Sequence, residues 1–146
     1  MAAAGAAVQK GDGAGARALY GRIVSQFPDF GPAVRELTLR HAMEKDISDS
    51  AFRIVSRARE MFPTDPAVAE AVGRIAYHRR QYQYAAGLLQ ECAEGSQNKA
   101  EVLYYLGMCY HQLHNKDLAK KTLRRAIEMR PDADLAAEAR KILGQP

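Results

Sequence analysis

The sequence predicts an all-α chain of stacked helical hairpins, and three observations carry that expectation. Alanine is abundant while β-branched runs are scarce, a balance that favours helix. Small and apolar residues recur at an interval of 34 positions. Prolines and capping residues punctuate the chain where that interval requires turns. With 146 residues the chain is long enough to bury a sizeable core.

The recurrence is read by sliding the chain along itself. Ala51, Ala85 and Ala119 align, as do Val55, Leu89 and Leu123, and Ala58, Cys92 and Ala126. Pro63, Gln97 and Pro131 follow. Upstream in each unit, Leu39, Gly73 and Gly107 align, and then Ala42, Ala76 and Tyr110. Three whole copies are expected at 32–65, 66–99 and 100–133, with a partial copy over 1–30 and Gly31 read as a single inserted residue. In the partial copy Ala16, Tyr20, Ile23 and Pro28 repeat the second half of the pattern, behind a short Ala-rich first helix. A start inside a repeat is expected of a piece of a longer chain.

Each element has a physical reason. Two antiparallel helices approach closely only where side chains are small, so Gly73 and Gly107 are expected to face Ala85 and Ala119. Leu89, Leu123, Leu106 and Tyr110 fill the volume around that contact. Pro63 and Pro131 cannot extend the helix before them. Asp65–Pro66 reads as an N-cap with proline in the first turn, and Asn98 as a cap supported by Glu101. The last segment, 134–146, places Leu135, Ala139, Ile142 and Leu143 on one face and ends at Gly144 and Pro146, as a closing helix would. Seven or eight helices are expected in all.

This pattern resembles the tetratricopeptide repeat family, whose 34-residue units are helix–turn–helix hairpins. The resemblance is clearest over 100–133, where Leu106-Gly107, Tyr110, Ala119, Leu123, Ala126 and Pro131 stand in order. It departs at Arg35, Ala69 and Leu103, where a large or aromatic residue is usual, and at Gln97 in place of the closing proline. The resemblance implies a superhelical solenoid of antiparallel hairpins with a C-terminal capping helix, the first helix of each unit lining a concave groove.

What the resemblance implies for function is protein binding in that groove, by a scaffold or adaptor without enzymatic activity. Its groove-facing positions fall on Glu36, Arg40, Met43 and Glu44, then Glu70, Arg74, Tyr77 and His78, then Tyr104, Tyr105, Met108 and His111. Arg40 and Arg74 are expected at equivalent places, beside an aromatic wall of Tyr77, Tyr104 and Tyr105. Two guanidiniums there suit a peptide or helix with acidic side chains or a terminal carboxylate, its apolar side chains meeting Tyr and Met. The blander reading makes Glu36–Arg40 and Glu70–Arg74 solvated i,i+4 ion pairs and packs Tyr104 and Tyr105 against the closing helix. Some family members clamp a carboxylate terminus with a Lys/Asn set. Glu36, Glu70 and Tyr104 stand where those residues are needed, which argues against that activity.

Other chemistry is thinly represented. The stretch "YHRRQYQY" (77–84) runs from one helix through a turn into its partner, so Tyr82 reads as packing, Tyr84 as outward, and Arg79 and Arg80 as turn residues. Nucleic-acid recognition needs cations along a groove with interleaved aromatics, and one turn does not supply that; no nucleic acid is expected. A net charge of +4 favours acidic partners. His111 and His114 lack further ligands at matching spacing, and Cys92 and Cys109 read as packing, so no metal and no cofactor are expected. Lys120, Lys121, Arg124 and Arg125 read as a solvated helix face opposite Leu123 and Ile127. No stretch approaches the roughly 18 apolar residues that cross a bilayer. No secretory leader is evident, and the expected compartment is the cytoplasm. The alternative function is self-assembly into a homo-oligomer, and the lower alternative is a nucleic-acid-associated regulatory module.

Overall fold

The computed structural model describes residues 1–95 and 99–145. The turn expected at Gln97, the cap expected at Asn98 and the stop at Pro146 lie outside them. Among the described residues there are nine helices and no strand. They are α1 (Ala2–Gln9), α2 (Gly13–Gln26), α3 (Gly31–Met43), α4 (Asp49–Met61), α5 (Pro66–His78), α6 (Tyr82–Glu94), α7 (Ala100–Gln112), α8 (Lys116–Glu128) and α9 (Ala133–Ile142). This exceeds the seven or eight expected; the Ala-rich start is a helix, as expected, and pairs with α2.

Two compact units emerge, Met1–Val72 and Gly73–Pro146, with the division inside α5. In the first, Ala4, Ala16, Tyr20, Ala33 and Leu37 form a buried cluster, with Ile23, Val24 and Ile54 packed against it. In the second, Leu89, Val102 and Leu123 are among the largest fully buried side chains. A Cβ on Gly73 would lie 2.9 Å from Leu89 Cγ, and one on Gly107 would lie 2.7 Å from Leu123 Cγ. Small residues do therefore let the helices approach. The side chain nearest each glycine is a leucine one turn beyond Ala85 or Ala119, which corrects the expected partner.

Helix starts are built as the sequence suggests. Side chains of Asp12, Ser48, Asn115 and Asp132 accept from the amides of Gly15, Ala51, Leu118 and Leu135. Asp65 Oδ1 accepts from Ala67 N at 2.9 Å and Val68 N at 3.3 Å, as its place before Pro66 requires. Its other oxygen, Oδ2, accepts from Arg35 Nε at 2.7 Å. Helix α7 begins after Lys99, which makes no side-chain cap.

The hairpin turns fix the register more tightly than side-chain patterns can. Gly11, Lys45, Arg80 and His114 all have left-handed backbone, with φ of 75°, 54°, 63° and 61°. In each case the next amide, that of Asp12, Asp46, Gln81 or Asn115, donates 2.9 Å to the carbonyl of Ala7, His41, Ala76 or Tyr110. This closes the helix end in the Schellman manner. His41, not Ala42, is thus the counterpart of Ala76 and Tyr110, and Thr38, not Leu39, the counterpart of Gly73 and Gly107. The inserted residue is not Gly31, which is the first residue of α3. It lies between His41 and Ala51, which stand ten positions apart where Ala76–Ala85 and Tyr110–Ala119 stand nine apart.

Candidate functional site

The second unit gathers the aromatic residues singled out in the sequence. At the end of α5, Tyr77 meets the ring of His78 at 5.2 Å, of Tyr82 at 5.8 Å and of Tyr105 at 5.3 Å between centroids. His78 meets Tyr105 at 5.7 Å, and Tyr105 meets Tyr104 at 5.1 Å. Interplanar angles between 59° and 78° make these tilted or edge-to-face contacts, which the ring quadrupole favours. The Arg74 guanidinium carbon stands 5.0 Å from the Tyr105 centroid, within cation–π range.

The wall is largely its own filling. Tyr104, Tyr105 and Met108 are buried, each no more than 3 % exposed. The Tyr104 hydroxyl donates to Glu138 Oε2 of α9 at 2.7 Å, as the packing reading of that residue requires. Arg74, Tyr77, His78 and His111 remain half-buried, with part of their surface open. Burial, with the Glu138 charge adding to it, pushes the Tyr77 hydroxyl up to about 12. Burial first and the Glu138 hydrogen bond second also raise Tyr104. Both phenols are therefore neutral donors at neutral pH. Burial pushes the Cys109 thiol to about 12, so it is no nucleophile; Cys92 and Cys109 are both buried and free. Among the described residues no group of three His, Cys, Asp or Glu could hold a metal.

The first unit does not repeat this arrangement. The turn register puts Leu39, not Arg40, at the counterpart of Arg74, and Arg35, not Glu36, at that of Glu70 and Tyr104. The expected equivalence of Arg40 and Arg74 is thus off by one residue, which on a helix rotates the side chain by about 100°. Nor does Glu36 pair with Arg40: it accepts from Arg35 Nη1 at 3.0 Å, while Arg40 Nη1 approaches Met43 Sδ at 3.8 Å. Met43 is exposed, and Glu70 is half-buried on α5.

A polar cluster that sequence reasoning missed lies at the α3–α4 turn. His41 is 6 % exposed, and its Nδ1 stands 3.1 Å from Asp46 Oδ2. Arg17 of α2 donates to the same oxygen at 3.3 Å and pairs with Glu44. Hydrogen bonding from Ser48, aided by the nearby charges of His41 and Arg17, holds Asp46 below the usual carboxylate range. Burial lowers His41. The available signal was a histidine on a mostly apolar helix face five residues before an aspartate.

No helix is long and apolar enough to cross a membrane, among the described residues. Comparison with curated proteins gives no match. The tetratricopeptide repeat family model matches residues 100–133. Among solved structures, MamA is 19 % identical, with 97 % of this chain and 84 % of that one covered at a TM-score of 0.72. MamA from Desulfovibrio magneticus RS-1 is 13 % identical, covering 95 % and 78 % at 0.76. YrrB, described as a TPR protein with an unusual peptide-binding site, is 20 % identical, covering 94 % and 71 % at 0.76. Residues 100–133 are a tetratricopeptide repeat, and the chain as a whole has the all-α tetratricopeptide-repeat fold.

Proposed function

We propose that the chain is a non-enzymatic protein-interaction module, a scaffold or adaptor that holds a peptide or helix of a partner protein. The observation that carries this reading is the half-buried Arg74–Tyr77–His78 group lying on rings already locked edge to face. A surface fixed before binding loses little side-chain freedom when a partner arrives. Cationic and aromatic character together suit acidic and apolar side chains on one segment. That YrrB, of the same fold, has a peptide-binding site supports the reading. Tyr104, Tyr105 and Met108 serve it from beneath, and His111 extends it by one turn of α7.

The test compares partners captured by the unmodified chain and by Arg74→Ala/His78→Ala, which leaves the buried rings in place. Loss of a defined partner from the variant supports the surface; identical recovery means that another surface binds. Self-association is the rival reading, favoured by exposed Phe27 and Phe30, which line a cavity of about 720 Å³ with Ile23 and Pro28. A mass in solution that stays monomeric across concentration removes it.

A further inference from the structure

One place between successive hairpins is bridged in one unit and left open in the other. In the second unit Tyr110 of α7 reaches across to α6, where its hydroxyl donates to Gln90 Oε1 at 3.4 Å. In the first unit the counterpart of Tyr110 is His41, by the turn hydrogen bonds. The counterpart of Gln90 is Gly21, which follows buried Ala16 on α2 as Gln90 follows buried Ala85 on α6. An imidazole replaces a phenol and a hydrogen atom replaces an amide side chain. A cavity of about 630 Å³ results, walled by Ala18, Gly21, Leu37 and Ile54 together with His41. That volume is in the range of small-ligand sites.

His41, one of the residues lining the cavity, carries an unmet hydrogen-bonding group. Asp46, an ionised carboxylate, can only accept, so the proton of the neutral His41 ring sits on Nδ1 and Nε2 offers a lone pair. Nε2 is buried and has no hydrogen-bond partner among the described residues. A buried acceptor without a donor is unfavourable and calls for one. Arg22 also lines the cavity, is exposed, and takes part in no ion pair among the described residues. The neighbouring Glu44 is already matched by Arg17.

We propose that this cavity receives a tyrosine side chain from an acidic segment of a partner protein. The ring lies on Ala18, Gly21, Leu37 and Ile54, beside the His41 ring that stands at the place of Tyr110 in the other unit. The hydroxyl donates to His41 Nε2, and a carboxylate beside the tyrosine meets Arg22. None of the residues of the Arg74 surface takes part, so this site stands or falls independently of that one.

The experiment titrates the full chain, labelled with ¹⁵N, with three short peptides: acetyl-Glu-Tyr-Glu-amide, its Phe counterpart and acetyl-Lys-Tyr-Lys-amide. Resonances of His41 Nε2 and the Gly21 amide report binding. The first peptide is expected to move both in a saturable way. The Phe and Lys peptides are each expected to bind at least about fivefold more weakly, the loss that one hydrogen bond or ion contact brings. Gly21→Leu is expected to fold, because nothing lies within 4 Å of a Cβ there, and to abolish the response. Absence of saturable shifts in the unmodified chain overturns the site. Equal binding of the Phe peptide overturns the role of His41, equal binding of the Lys peptide that of Arg22, and undiminished binding by Gly21→Leu the cavity itself.

Discussion

Thr38 with Val55 in the first unit, and Gly107 with Leu123 in the second, hold the same pair of places in a hairpin and divide the volume differently. All but Gly107 are wholly buried side chains, and a Cβ on Gly107 would lie 2.7 Å from Leu123 Cγ. Ala4 with Tyr20 takes the division further. Relative to Thr38 with Val55, a smaller residue on the first helix is met by a larger one on the second. That is what a close-packed interior requires. The units also differ at the next turn, where Tyr110 reaches Gln90 while His41 turns to Asp46 and leaves a cavity.

The largest effect is expected from imposing one unit's residue on the other. Gly107→Thr should destabilise the chain by about 2 kcal/mol or more, through overpacking against Leu123. Adding Leu123→Val should restore much of the loss, and a double-mutant cycle from urea unfolding measures the coupling. Strict additivity would break the claim that the two residues are coupled as a pair. Tyr104→Phe should cost about 1 kcal/mol by removing the bond to Glu138, with faster amide exchange across α9 and none of that change in the first unit. Exchange unchanged in α9 would mean that other contacts hold it.

Acid should act through His41. Its proton affinity is lowered in the folded chain by burial, so near pH 6 the unfolded chain binds more protons. The contribution of the neutral ring is present above the unfolded value of about 6.5 and is lost as pH falls below it. Urea midpoints at pH 7.5 and 5.5 should therefore differ more for the unmodified chain than for His41→Tyr, which installs the residue of the second unit. Equal differences would place the sensitivity elsewhere. The smallest effect is expected at the turns: His114→Gly should stabilise by at most about 1 kcal/mol, because glycine takes a φ of 61° without steric cost.

The repeat, the close approach at Gly73 and Gly107, and the cap at Asp65 were all legible, because each depends on residue types at fixed spacing. The position of the inserted residue was not. The spacing from Pro28 to Pro63 shows that one residue has been added but is silent on where, and Thr38 hides the register because it replaces the glycine that marks it elsewhere. Leu39 and Ala42 then supplied a plausible but false alignment, which carried Glu36 and Arg40 with it. The ring cluster was legible as a collection of aromatics on two helices. Their burial was one of two readings left open, and what decides it, Arg74 over Tyr105 and Glu138 against Tyr104, is encoded by no local pattern.

Where the connection is short, as at Asn115, one side chain both follows the left-handed residue and caps the next helix. The longer α3–α4 connection splits those duties: Ser48 takes the cap, and Asp46 is released to face His41 and Arg17. A duplicated segment can thus acquire a new polar group through length alone, with every helix left intact. Variants that lose or gain one codon between Lys45 and Ala51 should differ in this chemistry even when every other amino acid is the same.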